Sequence, residues 1–371
     1  MALSFVINSL YTYSKVGVVI AVIIWLFGDV CVSVAHLVVV GLGWGCVLFA
    51  ALHLLLGSAL YRRQRHVSNM HKKAVLVTGC DSGFGNRLAR RLAHMGFRVS
   101  YKVYAGCLFP DAEAAEALVR DTNIRVLKLD VTKQEDVDDC VLKVQQDLHE
   151  NDDMAFWSVV NNAGIGHYGD FEFMSTSQFR RTFEVNSLGP VMITKKFLPL
   201  LREAGEGRVV NVASMAGRVT LPGFIAYCMS KHAVVALSDG LRCELRPWNI
   251  SVHSIEPGFY RTSIVDKLLN QNENEKLWEC ASESLRSSYG EAYVKNRFIS
   301  SEEYVAKILR GSDRICEVID DLVHAVAAHQ PKARYMPHWL TKLSYFLCCV
   351  CPSELVDFMA CPPLTVKPGC A

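Results

Sequence analysis

Ser214, Tyr227 thirteen positions later and Lys231 four after the tyrosine stand at a spacing that suits proton transfer. On a helix, residues four apart share a face, so Tyr227 and Lys231 point to the same side. A lysine ammonium beside a phenol favours the phenolate and lowers its pKa from ~10 toward neutrality. Tyr227 is then usable as a general acid–base near pH 7. Ser214 follows an apolar strand, where its hydroxyl is placed to donate a hydrogen bond to a substrate oxygen whose charge is changing. An isolated Tyr-x-x-x-Lys pair is common on solvated helices, so the set draws its meaning from the elements that position it.

Upstream lies a nucleotide-binding pattern. Residues 72–99, KKAVLVTGCDSGFGNRLARRLAHMGFRV, read as a buried strand, a glycine-rich turn and a helix on which Leu88, Leu92 and Met95 recur at helical spacing. Gly79, Gly83 and Gly85 let the backbone turn sharply and approach a pyrophosphate, with Asp81, Ser82 and Phe84 in the same turn. The helix start offers that phosphate unpaired N–H groups and positive dipole. Further strands follow: residues 124–130 ending at Asp130, with Val131 next, residues 157–166 running into Asn161, Ala163 and Gly164, then residues 207–217, and residues 250–259 with Pro257 and Gly258 at their end. Apolar runs alternating with helical patterns predict an α/β fold, a Rossmann-type doubly wound parallel sheet. Ligands bind such sheets beyond the carboxyl ends of the strands, where each of these clusters falls.

The choice of nucleotide is electrostatic. NADP sites place Arg or Lys against the 2′-phosphate, whereas Asp81 repels it and the second strand ends near residues 105–108 without a basic residue. NAD is therefore expected over NADP. Residues 97–107 are long for one strand, and a shift of register there brings Lys102 closer.

A different composition precedes this region. Residues 1–61 carry two formal charges, Lys15 and Asp29, although the whole chain of 371 residues holds 39 basic and 37 acidic groups. Residues 16–60 are almost continuously apolar, about twice the ~20 residues of one bilayer crossing. Residues 16–35 and 37–60 form two candidate spans, too long for a signal peptide and lacking the arginines of a mitochondrial presequence. We read residues 1–61 as a membrane anchor of one or two transmembrane helices. Arg62, Arg63, Arg65, Lys72 and Lys73 follow it, which puts the later domain on the cytosolic side. Asp29, costly in mid-membrane, fits near the interface or in a shallow segment.

Together these motifs resemble the short-chain dehydrogenase/reductase family over roughly residues 72–340. They are TGCDSGFG at 78–85, Asp130, NNAG at 161–164, Asn186 in EVNSLG, Ser214, Tyr227 with Lys231, and PGFYRT at 257–262. The resemblance implies Tyr227 as the proton-transfer residue, Ser214 as carbonyl anchor, and Lys231 as ribose ligand and pKa perturber. It gives Asn186 a water linking Lys231 to solvent. It also places Asp130 near adenine, residues 161–164 along the ribose, and Thr262 at the nicotinamide carboxamide. The implied reaction is hydride transfer between an alcohol carbon and nicotinamide C4. TGCDSGFG with YAGCLF (104–109) and ARYMP (333–337) is similar to the branch of retinol, 17-beta- and type-2 11-beta-hydroxysteroid, and D-beta-hydroxybutyrate dehydrogenases, most of which use NAD. Helix-mediated homodimers are usual in the family.

Residues 259–300 fall where the family places a substrate lid, and their amphipathic pattern suits either a lipophilic substrate or packing on the domain. Residues 341–371 form an apolar tail, too short before Pro352 to span and suited to a membrane surface or a dimer contact. Five of the fourteen cysteines lie in the last 24 residues; zinc, acylation and free thiols are the readings, and histidines at ligand spacing are lacking for the first. Balanced charge gives no basic field for nucleic acid. The expectation is a membrane-anchored NAD-dependent oxidoreductase of the endoplasmic reticulum, facing the cytosol and acting on a steroid or retinoid. The alternatives are a D-3-hydroxybutyrate dehydrogenase and, in another class, a non-catalytic NAD-binding membrane scaffold.

Overall fold

The computed structural model describes residues 66–95, 103–120, 124–151, 153–262, 276–294 and 313–360. The chain parts into two units, Met1–Arg65 and His66–Ala371, and all that follows concerns the second. The anchor expected over residues 1–61, with Lys15, Asp29 and both candidate spans, lies outside the described residues, as does Lys102. Among the described residues no helix is long and apolar enough to cross a membrane.

Seven parallel strands form one sheet, in the order β3-β2-β1-β4-β5-β6-β7. They are β1 (Lys73–Thr78), β2 (Val103–Cys107), β3 (Ile124–Lys128), β4 (Ala155–Asn161), β5 (Gly207–Val212), β6 (Ile250–Ile255) and β7 (Arg334–Tyr335). The central strands β1, β4 and β5 are buried almost end to end because helices cover both faces. Between them run α1 (Gly83–His94), α2 (Glu113–Arg120), α3 (Gln134–His149), α4 (Thr176–Phe183), α5 (Gly189–Glu203) and α6 (Ile225–Glu244). Later come α7 (Glu283–Tyr289), α8 (Ile315–Ala327), α9 (Trp339–Val350) and α10 (Ser353–Ala360).

Leu88 and Leu92 of α1 are fully buried, as their spacing predicts. On the other face Tyr104, Phe156, Ile193, Phe197 and Val209 share a core in which the Phe156 and Phe197 rings stack 5.0 Å apart. The sequence reading recognised neither β7 nor α8 as an element. β7 is two residues long, too short for a periodic signal, and exists because Ser254 and Ile255 offer it a strand edge. Helix α8 buries Ile315, Val318, Ile319, Leu322, Val323 and Val326. β3 ends at Lys128, before Asp130, although Leu129 N–H still reaches Cys107 O at 2.8 Å.

Strand order reverses at β1, which has β2 on one side and β4 on the other. A doubly wound sheet opens a crevice at that point, beyond the carboxyl ends.

Candidate active site

Beyond the carboxyl ends lies a cavity of about 400 Å³. Its first wall is the glycine turn. Gly79 and Gly83 have φ of +70° and +61°, the left-handed region that side chains avoid. A Cβ on Gly79 would lie 2.7 Å from Ala163 Cα, and one on Gly85 only 2.4 Å from Gly79 O. Gly85 is thus a packing residue behind the cavity, whereas Gly79, Asp81, Ser82, Gly83 and Phe84 line it. The Ser82 side chain does not cap α1, so the helix start can present its N–H groups to an anion. Asp81 turns its carboxylate to the end of β2, accepting from Leu108 N at 3.0 Å and Phe109 N at 2.9 Å.

The second wall comes from β3 and β4. Asp130 and Val131 line the cavity, and Asp130 accepts from Thr132 N and Oγ1 at 3.0 and 2.7 Å. Burial works against the Asp130 charge, but the Thr132 bonds with Arg181 and Lys133 outweigh it and hold the carboxyl below the usual range. Asn161 does not line the cavity. It is buried at the end of β4, donating to Thr194 Oγ1 at 3.0 Å and Asn211 Oδ1 at 2.8 Å. Its neighbour Asn162 faces the cavity with Ala163 and Gly164, and donates to Thr78 O and Gly79 O at 2.8 and 3.1 Å, tying β4 to the glycine turn.

Asn186 sits in a π-helical turn, Glu184–Leu188, between α4 and α5. Such a turn often marks a functional position. Asn186 is buried, accepts from Ile165 N at 2.8 Å, and donates to Ile165 O and Ser230 Oγ at 2.8 and 2.9 Å. It lies behind the cavity wall. A Cβ on Gly164 would come within 3.4 Å of Asn186 Oδ1 and 3.6 Å of Lys231 Nζ, so the strand end, the π turn and α6 converge there.

Ser214, Tyr227 and Lys231 meet on the far wall. Ser214 caps the short turn Met215–Gly217, with Oγ accepting from Ala216 N at 3.1 Å and donating to Pro257 O at 3.4 Å. Lys231 is buried, with Nζ donating to Val212 O at 2.8 Å and lying 5.7 Å from the Tyr227 ring centroid. Burial lowers its pKa to about 8. The spacing argument expected Tyr227 to be drawn down. Instead burial pushes its phenol up to about 12, with the Ser214 hydrogen bond acting in the opposite direction. Removal of the phenol itself from water is the largest cause, since burial penalises the charged phenolate.

Pro257, Gly258 and Thr262 close the cavity beyond β6. This turn is held from beneath by Glu256, a fully buried carboxylate paired with Arg218, whose Nε and Nη2 reach it at 3.1 and 3.0 Å. Arg218 directly follows the Ser214 turn, so the ion pair joins the serine turn to the proline turn. Sequence reasoning held Thr78 and Asn162 only as members of the TGCDSGFG and NNAG motifs, and did not single out Arg181, Arg218 or Glu256. For Asn162 the NNAG motif was an available signal; the ion pair spans 38 positions and had none. Around Tyr227 the wall is apolar: Ala216, Leu221, Phe224 and Phe259, with Tyr168 packed on Phe224 at 4.9 Å.

This cradle fits a dinucleotide: left-handed glycines at a helix start, a carboxylate at the end of β2, and a cavity reaching Tyr227. A short chain dehydrogenase family model matches residues 73–274. Retinol dehydrogenase 16 of Rattus norvegicus is 38% identical over 306 residues, covering 80% of this chain and 90% of its own. The mitochondrial D-beta-hydroxybutyrate dehydrogenase of Rattus norvegicus is 40% identical over 271 residues, 71% of this chain and 76% of its own. Among solved structures, a short-chain dehydrogenase from Streptomyces avermitilis has a TM-score of 0.59 at 26% identity, covering 79% of this chain and 97% of its own. One from Burkholderia phymatum, in complex with NAD, has a TM-score of 0.60 at 21% identity, covering 81% and 100%, and supports the fold. With the matched family model and these relatives added to the geometry, the chain belongs to the short-chain dehydrogenase family and is a nicotinamide-dependent oxidoreductase.

Proposed function

We propose that the protein is a membrane-anchored enzyme that uses NAD to interconvert an alcohol and a carbonyl on a lipophilic substrate, a steroid or a retinoid. The observation that carries the substrate class is the wall beside Tyr227. Ala216, Leu221, Phe224 and Phe259 form it, and among the described cavity residues the cations are Lys231 and Arg181. Lys231 is held on Val212 O, and Arg181 stands beside Asp130, its Nη2 4.0 Å from that carboxylate. A hydroxybutyrate carboxylate needs a cation next to the reacting carbon, whereas a steroid or retinoid needs apolar surface. The likeness to a retinol dehydrogenase supports the same reading. Asp81 at the end of β2, beside Leu108 and Phe109, favours NAD over a nucleotide with a 2′-phosphate.

In this reading Tyr227 moves the hydroxyl proton and Ser214 Oγ donates to the substrate oxygen as charge develops. Lys231 and Asn186 position Tyr227 and pass the proton outward. NAD, when bound, supplies the hydride acceptor at nicotinamide C4. Asp81, Ser82, Gly83, Phe84, Asp130, Val131, Ala163, Gly164, Pro257, Gly258 and Thr262 would hold it. The catalytic domain of residues 72–340 would face the cytosol from the endoplasmic reticulum membrane, held by the apolar run of residues 16–60.

The test is turnover by the purified full chain in detergent. A retinol or a hydroxysteroid should react with NAD at least ~10-fold faster in kcat/KM than with NADP. Turnover of 3-hydroxybutyrate without either lipid would overturn the substrate reading, and a preference for NADP would overturn the cofactor reading.

A further inference from the structure

Helix α9 has one side against the cavity's rim and an apolar side against nothing described. On the inner side Thr341 is buried, and a Cβ built on Gly258 would meet its Oγ1 at 2.7 Å. Tyr345, one turn on, lies 6.0 Å from the Arg218 guanidinium. On the outer side Trp339, Leu343, Phe346, Leu347 and Val350 stand exposed, Trp339, Phe346 and Val350 each by 60% or more. At 3.6 residues per turn this stripe centres half a turn from Thr341 and Tyr345. Exposed Lys342 flanks it, and the helix contains no acidic residue.

We propose that this face of α9 is a second membrane contact, lying in the interfacial layer of the bilayer beside the cavity mouth. The proposal rests on the membrane-anchored reading above. Five residues, 61–65, separate the apolar run from His66, so an anchored catalytic unit is tethered at the lipid surface at high effective concentration. Trp, Phe and Leu on one face with a lysine at the flank are what an interfacial helix buries, ~5–10 Å into the headgroup boundary. A second copy of the chain fits less well. Twelve residues make a patch of ~18 by ~10 Å, well below the ~800 Å² per partner of a stable interface. The inner side of the same helix touches Gly258, which lines the cavity, so a substrate dissolved in the bilayer meets the site where α9 rests.

The experiment is lipid quenching of tryptophan in the full chain reconstituted into nanodiscs. Phosphatidylcholine brominated high on its acyl chains is compared with unbrominated lipid, and Trp339→Phe isolates the Trp339 signal. That signal should fall by about half in brominated lipid, as for an indole at the headgroup boundary. Trp25 and Trp44, in the apolar run, report the anchor through their own Phe variants. If they are quenched and Trp339 is not, the anchor stands and the α9 contact is overturned. If the chain stays out of the discs, both readings fail. A Trp339 emission shift that depends on protein concentration in detergent identifies a second copy and also overturns the proposal. The variant Leu343→Glu/Phe346→Glu should raise KM for bilayer-dissolved retinol about fivefold at unchanged kcat; an unchanged KM overturns the delivery role.

Discussion

On the β5–β7 side of the sheet Arg208 donates to Ala325 O and Ala328 O, and Trp157 carries Arg208 on one side at 4.8 Å and Lys73 at 3.4 Å. Trp157 itself donates to Val326 O, and His253 is held between Lys332 O and Ser251. At the carboxyl end, the buried cation Lys231 has a single acceptor at hydrogen-bond distance among the described residues and lines an open cavity. Both regions bury a cation near an aromatic ring. The first surrounds Arg208 with carbonyls and a ring, which seal α8 against the sheet. The second leaves charge and phenol under-solvated, which suits the proton transfer proposed for Tyr227.

The contrast is sharpest for Tyr227→Phe, which should lower kcat by ~10³-fold while NAD binding changes little, since the ring stays and only the proton is lost. Turnover with NAD binding measured by fluorescence checks it, and surviving activity would mean that another group moves the proton. Next is Gly85→Ala, whose Cβ would press on Gly79 O and Asn162 and displace the turn. KM for NAD should rise ~10-fold or more with less change in kcat. The mildest concern the β5–β7 side. There Arg208→Met leaves two buried carbonyls without their donor and should cost about 1–3 kcal/mol, lowering Tm by several degrees at unchanged kcat/KM.

His253 supplies a pH test of the same side. Burial holds its pKa down to about 4, and the same cause does so for His324. The unfolded chain takes up these protons near pH ~6.5, whereas the folded one resists until about 4. Stability fully present above pH ~6.5 is therefore lost as pH falls toward 4, and Tm followed from pH 7.5 to 4.5 should decline accordingly.

Strands β1, β4, β5 and β6, the glycine turn and the pairing of Tyr227 with Lys231 could be read from the chain, because each rests on local spacing. Apolar runs bury themselves, a glycine is required where no Cβ fits, and residues four apart share a helix face whatever surrounds them. The parts decided in three dimensions rest on neighbours distant in sequence. Tertiary packing turned Asn161 inward to Thr194 and Asn211 and left Asn162 to face the cavity. It made a strand of Arg334–Tyr335 by offering the edge of β6, and joined Arg218 to Glu256 beneath the serine turn. It also reversed the expected direction of the Tyr227 pKa, because spacing shows that a lysine is near but not that the phenol itself is buried away from water.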